Sequence, residues 1–283
     1  MEWKSYHIFI HDMTYHDRFI KQTLKSFVED QHNAIEQYFF IRYWQGGPHI
    51  RFSFRSRVQE KMRELLGTYV DAFLESYEPS FVLTKDSYYE QHSFDGVKPP
   101  KEELYWVEDR VIKEIPYVPE YERYGGEEAI PYSEQLFQVS SSLAMNVLKL
   151  VADGNLVSKF VFAADFFQIL SSFLTNEQQS GLKKFYHEFW VSFRKDSVDN
   201  DSLVKKIGQL YKTRITRKSP FAEELYLNVI EQFKLKMKEI EKVNPDINFP
   251  YLLSSHIHMF NNRIGFPPEF EHLLPLILLE IER

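Results

Sequence analysis

The alternation of apolar and polar positions predicts the first elements of the chain. A strand-like run over residues 6–11 precedes a helical period over residues 16–30, where apolar positions recur every three or four residues. A second helical pattern covers Gln59 to Ser76. Short strands are predicted for Ser80 to Leu83 and for Tyr88 to His92. These patterns predict an α+β fold, in which a mostly antiparallel sheet carries packed helices in the N-terminal half.

Residues 38–55 lie between the two helices and predict a β-hairpin. Two runs rich in aromatic and β-branched residues flank a turn from Gln45 to Pro48. Successive side chains of a strand point to opposite faces, so the second strand has one apolar face and one polar, basic face. The polar face is either an exposed sheet surface or a site for a polar or anionic ligand. The apolar face comprises Ile50, Phe52 and Phe54, and the polar face comprises His49, Arg51, Ser53 and Arg55.

The second half of the chain has a helical character. Frequent prolines and glycines between Gly96 and Tyr132 predict ordered connecting structure without long helices. From Tyr132 onward five stretches are helical, and Ser133 and Thr175 are predicted to cap two of them, Thr175 in a capping box. The predicted helices are Ser133 to Leu150, Ser158 to Leu174, Asn176 to Phe193, Asp201 to Tyr211 and Pro220 to Val243.

Composition is that of a soluble globular protein. The chain has 283 residues, of which 43% are hydrophobic and 27% charged, and we expect a single domain with an α+β part (1–130) and a largely helical part (131–283). The absence of cysteine excludes disulfides, thiolate nucleophiles and Cys-ligated metals. A net charge of −7 argues against direct nucleic-acid binding. Neither a signal peptide nor a membrane span is predicted, so we expect a cytoplasmic protein that does not bind membranes.

A polar cluster near the C-terminus falls on a predicted helix. Residues three and four apart share a helix face, so Ser254 and His258 align with Asn261 or Asn262. Such a histidine is either a hydrogen-bonded structural residue or a proton-transfer group in a pocket. His256 and His258 would point in different directions, and the sequence has no His-Glu-x-x-His motif. We therefore predict no metal site.

Three separated segments resemble, in order, the signatures of one family. They are Phe40 to Arg51, Tyr121 to Gly126 and His258 to Arg263. The family is the thiopeptide-type bacteriocin biosynthesis domain, also known as the C-terminal elimination domain of lantibiotic dehydratases. The resemblance runs from Trp3 to the last helix, and it implies an enzyme that matures a ribosomally made precursor peptide without a cofactor.

The resemblance implies one of two reactions. Standalone relatives either eliminate glutamate from a glutamylated peptide, as the subunit of a split tRNA-dependent dehydratase, or act as pyridine synthases. A pyridine synthase joins two dehydroalanines by a formal aza-[4+2] cycloaddition and expels the leader peptide. The chain has no room for the larger glutamylation domain, so we expect a standalone relative with no direct need for tRNA. The implied partners are a precursor peptide with its leader and a dehydratase or cyclodehydratase, and a homodimer is a further expectation.

The resemblance also implies roles for residues of the three segments. Arginine forms strong bidentate bonds with carboxylates, so Arg51 and Arg123 would hold a departing glutamate while His258 moves the α-proton. For the cycloaddition, aromatic and hydroxyl groups would hold two peptide segments in register. The implied catalytic residues are His258, Arg51, Arg123, Tyr124 and Ser255, and the implied substrate-binding residues are Arg42, Tyr43, His49, Ser53, Arg55, Tyr121, Asn262 and Arg263.

One departure from the family pattern bears on the reaction. Elimination-type members usually have a second arginine two residues after the first, where this chain has Ser53. A pocket without that arginine favours pyridine synthesis over glutamate elimination, unless Arg42 or Arg55 compensates. The remaining alternative is a noncatalytic module that binds a leader peptide by strand addition.

Overall fold

The computed structural model describes residues 1–91, 100–194 and 199–282. These residues form two compact units, Met1–Val118 and Pro119–Arg283. The first unit is α+β and the second is helical, which confirms the predicted fold class. The division of a single domain at residue 130 stays a prediction. His92 of the second predicted short strand and residues 96–99 of the proline-rich section lie outside the described residues.

One antiparallel sheet organises the first unit. Its strand order is β2-β3-β1-β4, so the hairpin of β2 and β3 adds to the edge of β1. The predicted hairpin is therefore confirmed. The strand β4 was not predicted, because it is short and lies within the proline-rich section. The strands are β1 (Lys4–Phe9), β2 (Ile35–Tyr43), β3 (His49–Ser56) and β4 (Ile112–Glu114).

The turn between β2 and β3 requires glycine. Gly46 and Gly47 have φ angles of 90° and 109°, which side chains of L-residues rarely adopt. A Cβ atom on Gly46 would lie 2.3 Å from the ring of Tyr105. The backbone amide of Gly46 instead donates to the hydroxyl of Tyr89 at 2.8 Å. The close approach of Tyr105 and the hydrogen bond to Tyr89 together fix the turn.

Helices pack on the apolar face of the sheet. The predicted helix at residues 16–30 consists of α1 (His16–Arg18), a π-helical turn (Phe19–Leu24) and α2 (Lys25–Asp30). The helix α3 (Gln59–Leu74) follows the hairpin, as predicted. The ring of Phe27 meets that of Phe52 edge-to-face at 5.9 Å. The apolar positions of β3 therefore belong to the core of the first unit.

Both predicted short strands after α3 are wrong. Residues 80–83 have no regular structure, and residues 88–91 lie in the helix α4 (Lys85–Gln91). The reason for the helix is local, since the side chains of Thr84 and Ser87 each accept a hydrogen bond from the other's backbone amide. Tyr88 and Tyr89 favour a strand by composition, but both are buried in a cluster with Leu104.

The second unit consists of helices. All five predicted helices are confirmed with shifted ends, and the capping box of Thr175 with Gln178 is confirmed as well. The prediction for Ser133 is wrong: the helix begins earlier, with Pro131 in its first turn, and the Ser133 hydroxyl donates to the Tyr124 carbonyl. The helices are α5 (Ile130–Leu150), α6 (Leu156–Ser171), α7 (Asn176–Trp190), α8 (Asn200–Arg217), α9 (Glu224–Val243), α10 (Phe249–Ile264) and α11 (Leu273–Glu282). Among the described residues, no helix has both the length and the apolar character that a membrane span requires.

Candidate functional site

The polar face of the hairpin is enclosed. His49 and Ser53 are buried, with exposed fractions of 0% and 2%, and so is His7 on the neighbouring strand β1. The register places His7 opposite Arg51, so the two side chains lie on the same face. Arg51 and Arg55 are half-buried. The interpretation of this face as an exposed sheet surface is therefore wrong for His49 and Ser53, which are buried.

His49 is held as a neutral imidazole. Its Nδ1 donates to the Gly47 carbonyl at 2.7 Å, and its Nε2 accepts from Nε of Arg51 at 3.3 Å. The ring stacks on His7 with centroids 4.8 Å apart. Burial lowers the pKa of His49 well below its ordinary value, and the neighbouring His7 and Arg51 lower it further. His49 therefore orients Arg51 without carrying a charge itself.

Arg51 is also fixed by an aromatic ring. The carbon of its guanidinium lies 3.3 Å from the centroid of the Tyr43 ring, which is a cation–π contact. The register pairs Tyr43 with His49, so all three residues lie together on the polar face. A guanidinium is a planar donor group whose geometry matches a peptide carbonyl or a carboxylate.

The other basic residues of the hairpin are placed differently. Arg42 pairs with Ile50 on the opposite face of the sheet, where its Nη2 contacts Asp17 at 2.6 Å. Side-chain alternation explains this placement, and it means that Arg42 does not compensate for Ser53. Arg55 shares the polar face, but its guanidinium lies 4.4 Å over the ring of Trp3.

Ser53 is part of the interior of this face. Its hydroxyl donates to the hydroxyl of Ser5 at 2.9 Å, and both residues are buried. The register places the two serines opposite each other on β3 and β1. An arginine at position 53 would therefore need space that the serine pair does not provide.

In the second unit, Arg123 is bound to helix α10. It lies in a short helical turn, Glu122–Tyr124, and its Nε donates to the hydroxyl of Ser255 at 3.2 Å. Its Nη1 donates to the carboxylate of Glu120 at 3.1 Å. The turn ends at Gly125, whose φ of 93° favours glycine. The structure thus brings Arg123 and Ser255 together.

His258 lies one turn beyond Ser255 on α10 and is bound to a buried carboxylate. Its Nδ1 donates to Oε1 of Glu271 at 2.7 Å. Its ring lies against Trp190, with centroids 4.4 Å apart. Since Nδ1 carries the proton of a neutral ring, Nε2 is left as an acceptor, and it forms no hydrogen bond within the described part of the chain. The pair has the geometry of a histidine oriented for proton transfer.

Glu271 is the centre of a buried polar network. It is fully buried, and its Oε2 accepts from the hydroxyl of Tyr186 and from Nδ2 of Asn261, the latter at 3.1 Å. Burial and the adjacent carboxylate of Glu271 raise the pKa of Tyr186 well above its ordinary value. Tyr186 therefore keeps its proton and donates a hydrogen bond to Glu271. Both oxygens of Glu271 therefore accept hydrogen bonds, and Tyr186 and Asn261 fix the carboxylate that orients His258.

The sequence did not reveal Glu271, Tyr186 or Trp190 as site residues. Gly265, with a φ of 69°, ends the helix of His258 before Glu271, so no helical spacing relates the two. Tyr186 and Trp190 are ordinary aromatic positions on the buried side of α7. No sequence motif could have identified these three residues.

The remaining residues that the resemblance implied differ in burial and in their contacts. Tyr124 is buried against Phe137 at 4.5 Å, and burial raises its pKa to about 12. Arg263 is buried with Nε donating to Ser141 at 3.0 Å, and burial lowers its pKa to about 10. Tyr121 is 41% exposed in the same turn as Arg123. Asn262 lies at the end of α10, whereas it is Asn261 that bonds to the carboxylate of Glu271.

The described residues contain no cluster of histidine and carboxylate groups that could hold a metal ion. His256 in particular is buried with both ring nitrogens lacking a hydrogen-bond partner among the described residues. It packs against the rings of Tyr124 and Phe233, each at 5.3 Å. His256 is thus a packing residue, and it is separate from the pair of His258 and Glu271.

We expect Glu271→Gln to impair His258 by disturbing its orientation. The new amide either directs its N–H donors at Tyr186 and Asn261, which already donate there, or directs them at His258, which then loses its acceptor. In imidazole NMR spectra the Nδ1 proton of His258 should lose its downfield resonance. Glu269→Gln is the matched control. An unchanged Nδ1 resonance in Glu271→Gln would contradict this geometry.

The two units define a protein with a basic hairpin face in an α+β part and a carboxylate-bound histidine in a helical part. The chain belongs to the lantibiotic biosynthesis dehydratase C-terminal family, whose sequence profile matches residues 3–279. No curated protein sequence matches the chain significantly.

Solved structures share this fold at low sequence identity. The pyridine synthase TbtD, from thiomuracin biosynthesis, is 14% identical with a TM-score of 0.73, over 99% of this chain and 97% of TbtD. TsrL is 13% identical with a TM-score of 0.65, over 99% of this chain and 94% of TsrL. The tRNA-dependent lantibiotic dehydratase MibB from Microbispora sp. 107891 is 17% identical with a TM-score of 0.61, over 97% of this chain but 27% of MibB.

Proposed function

We propose that this protein matures a ribosomally made peptide as a pyridine synthase. The substrate is a precursor that carries two dehydroalanines, which react in a formal aza-[4+2] cycloaddition. Membership of the family supports a role in peptide maturation. The pair of His258 and Glu271 supports an enzymatic role, because Nε2 of His258 can accept a proton and return it.

The reaction needs proton transfers but no oxidant. One dehydroalanine reacts through the imidic-acid tautomer of its amide, in which the amide proton has moved to the oxygen. Two new carbon–carbon bonds then close a six-membered ring, because both ends of this azadiene and both ends of the second dehydroalanine's double bond are carbons. The former carbonyl carbon loses its hydroxyl as water, and the leader departs as a carboxamide, which leaves an aromatic pyridine. His258 would move protons in the tautomerisation and in both departures.

Arginine and aromatic groups would hold the peptide during these steps. Arg51, oriented by His49 and Tyr43, would donate to peptide carbonyls. Arg123 and Ser255 would bind the tautomerising amide or its oxygen. Holding two dehydroalanines in register is itself worth several kcal/mol of the activation barrier, about 7 in favourable cases.

The observation that carries the choice of reaction is the environment of Ser53. Elimination-type members usually have a second arginine two residues after the first, and in this chain that position holds a buried serine bonded to Ser5. Neither neighbouring arginine replaces it, since Arg42 lies on the opposite face and the guanidinium of Arg55 lies over Trp3. The match to TbtD, which is named a pyridine synthase, agrees with this choice.

Glutamate elimination is the second candidate. Arginines such as Arg51 and Arg123 can bind carboxylates, and the chain matches part of the dehydratase MibB. In that case the chain would serve as the elimination subunit of a split tRNA-dependent dehydratase. A noncatalytic module that binds the leader is the third candidate. In such a module the oriented Nε2 of His258 would have no function.

The test supplies purified protein with two precursors in separate reactions. One carries dehydroalanines and the other carries glutamylated serine or threonine. Mass spectrometry should show a macrocycle and a released leader from the first precursor only. Loss of glutamate mass from the second precursor alone would establish elimination instead. No change in either precursor would favour the binding module.

We expect Arg51→Lys to reduce kcat/KM at least tenfold. Lysine keeps the charge but loses the planar contact with Tyr43 and the hydrogen bond to His49, so the donors are no longer oriented. Arg57→Lys is the matched control, because Arg57 is exposed and its Nε pairs with Glu36 at 3.0 Å. Equal rates for Arg51→Lys and the wild type would remove Arg51 from the site.

A further inference from the structure

The helix α8 (Asn200–Arg217) carries a basic face that the proposed site does not use. From Leu203 to Lys218 the sequence holds six lysines and arginines and no acidic residue, although the whole chain has a net charge of −7. The side chains of α8 that pack inward include Ile207 and Tyr211. The exposed cations are Lys205, Lys206, Lys212 and Arg217 on α8, and Lys218 directly after it.

These cations differ from many others on the surface because they have no carboxylate partner in the described part of the chain. Some other surface cations pair with a nearby carboxylate, as in Lys4 with Glu114 and Lys242 with Glu239, both at 2.9 Å. Arg214 of α8 also follows that rule, since its Nη2 contacts both Asp165 and Glu223. Glu280 of α11 packs on Gly208 of α8, but the exposed cations outnumber this one carboxylate, so a local positive potential remains.

Helical geometry arranges the cations along two edges of one face. A helix turns about 100° per residue, so Lys205 and Lys212 form one edge, and Lys206 and Arg217 form the other. Exposed, uncharged Gln209, Thr213 and Thr216 lie between the edges. The hydroxyls of Thr213 and Thr216 donate to the helix backbone, which leaves their oxygens as acceptors. The result is a polar strip bordered by cations.

The strip has the length of a short peptide segment. From Lys205 to Arg217 the helix rises about 18 Å, which an extended chain spans with roughly five or six residues. We infer that the basic face of α8 binds an acidic segment of the peptide substrate, outside the residues that react. This inference rests on the proposed function, because it takes the bound segment to belong to the precursor peptide.

Other anionic partners fit the face less well. Sites for single-stranded nucleic acid combine cations with aromatic rings on which bases stack, whereas the residues between these cations are glutamine and threonine. A long polyanion would also meet the net negative charge of the chain, while a short acidic segment experiences mainly charges within about 8 Å at physiological salt. A membrane-binding helix presents large apolar side chains, and the apolar side of α8 is instead buried within its unit.

The test measures binding without catalysis. The probe is a short fluorescein-labelled peptide that alternates glutamate and serine, and binding to the whole chain is followed by fluorescence anisotropy. The test variant carries Lys205→Gln, Lys206→Gln, Lys212→Gln and Arg217→Gln. The matched control carries Lys234→Gln, Lys236→Gln, Lys238→Gln and Lys242→Gln on α9, which removes the same charge from a helix that also carries glutamates. Circular dichroism checks that both variants stay folded.

We expect the α8 variant to bind the acidic peptide about tenfold more weakly or worse, and the α9 variant to stay within about twofold of the wild type. High salt should weaken wild-type binding. With the precursor, the α8 variant should raise KM and leave kcat unchanged. Equal losses in both variants, no binding of the peptide, or tighter α8-dependent binding of oligothymidylate would each overturn the inference.

The two proposals fail separately. Binding of the acidic peptide through α8 by a protein that forms no macrocycle would reject the pyridine-synthase proposal and leave an acidic-peptide site. Normal macrocycle formation and an unchanged KM in the α8 variant would reject the α8 site and leave the pyridine-synthase proposal intact.

Discussion

Replacing His258 with glutamine is expected to lower the rate of macrocycle formation by about 10²- to 10⁴-fold. Glutamine can still accept a hydrogen bond, but it cannot exchange a proton near neutral pH. Glu271 keeps its bonds to Tyr186 and Asn261 in this variant, so the network should hold and the protein should fold. The measurement is a single-turnover rate followed by mass spectrometry of the precursor and the macrocycle.

The control for this substitution is His32→Gln, because His32 is exposed and bonds only to a backbone carbonyl among the described residues. The control should retain the wild-type rate. Thermal unfolding shows whether a slow variant is merely unfolded. A folded His258→Gln protein that forms the macrocycle at the wild-type rate would exclude His258 as the proton-transfer group.

Acid should unfold this protein because it contains buried neutral histidines. Burial lowers the pKa of His16 in the first unit to about 3, with Arg42 adding to the effect. Burial likewise lowers the pKa of His256 in the second unit to about 3, with Arg263 and Arg123 adding to it. An unfolded histidine titrates near about 6.5, so only the unfolded chain takes up these protons readily.

The sign of the effect follows from this difference in pKa. The stability that these neutral histidines contribute is fully present above about pH 6.5. It is lost as the pH falls from there toward about 3, because protonation favours the unfolded state. Each of these histidines lowers the free energy of unfolding by about 1.4 kcal/mol for every pH unit that the pH falls within that window. Two pH units therefore remove about 3 kcal/mol through each histidine, a large part of the about 5–15 kcal/mol that stabilises a typical domain.

His256→Leu provides the sharpest check of the acid effect. Its imidazole has no hydrogen-bond partner among the described residues and lies among aromatic rings, so leucine should pack there without leaving a polar group unpaired. In urea titrations across the acid window, the free energy of unfolding of this variant should fall less steeply with decreasing pH. The exposed His32→Gln variant should keep the wild-type slope. Parallel slopes for His256→Leu and the wild type would contradict the assignment.

Local patterns predicted most of the fold correctly. The hairpin, the helices around it and the helical second half follow from periodicity and turn residues, because these elements bury faces that the sequence marks clearly. The errors concern segments whose structure depends on a local cap that composition hides or on distant contacts. Tyr88 and Tyr89 favour a strand by composition, but capping by Thr84 and burial beside Leu104 place them in a helix. The strand β4 has only three residues, and pairing with β1 defines it.

The sequence indicated part of the candidate site. Arg51 and His258 belong to recognisable segments, and the alternation of the hairpin correctly grouped His49 with Arg51. The same alternation places Arg42 on the opposite face, where it pairs with Asp17. The partner of His258 could not be predicted, since Glu271 comes from beyond the helix end and reaches the histidine only through tertiary folding.

The central claim is most directly tested by the mass balance of one reaction. Purified protein is supplied with a precursor that carries two dehydroalanines, and all products are measured by high-resolution mass spectrometry. Pyridine synthesis predicts equimolar amounts of a macrocycle and a leader fragment that ends in a carboxamide, with loss of one water. An unchanged dehydroalanine precursor, together with loss of glutamate from a glutamylated one, would contradict the claim.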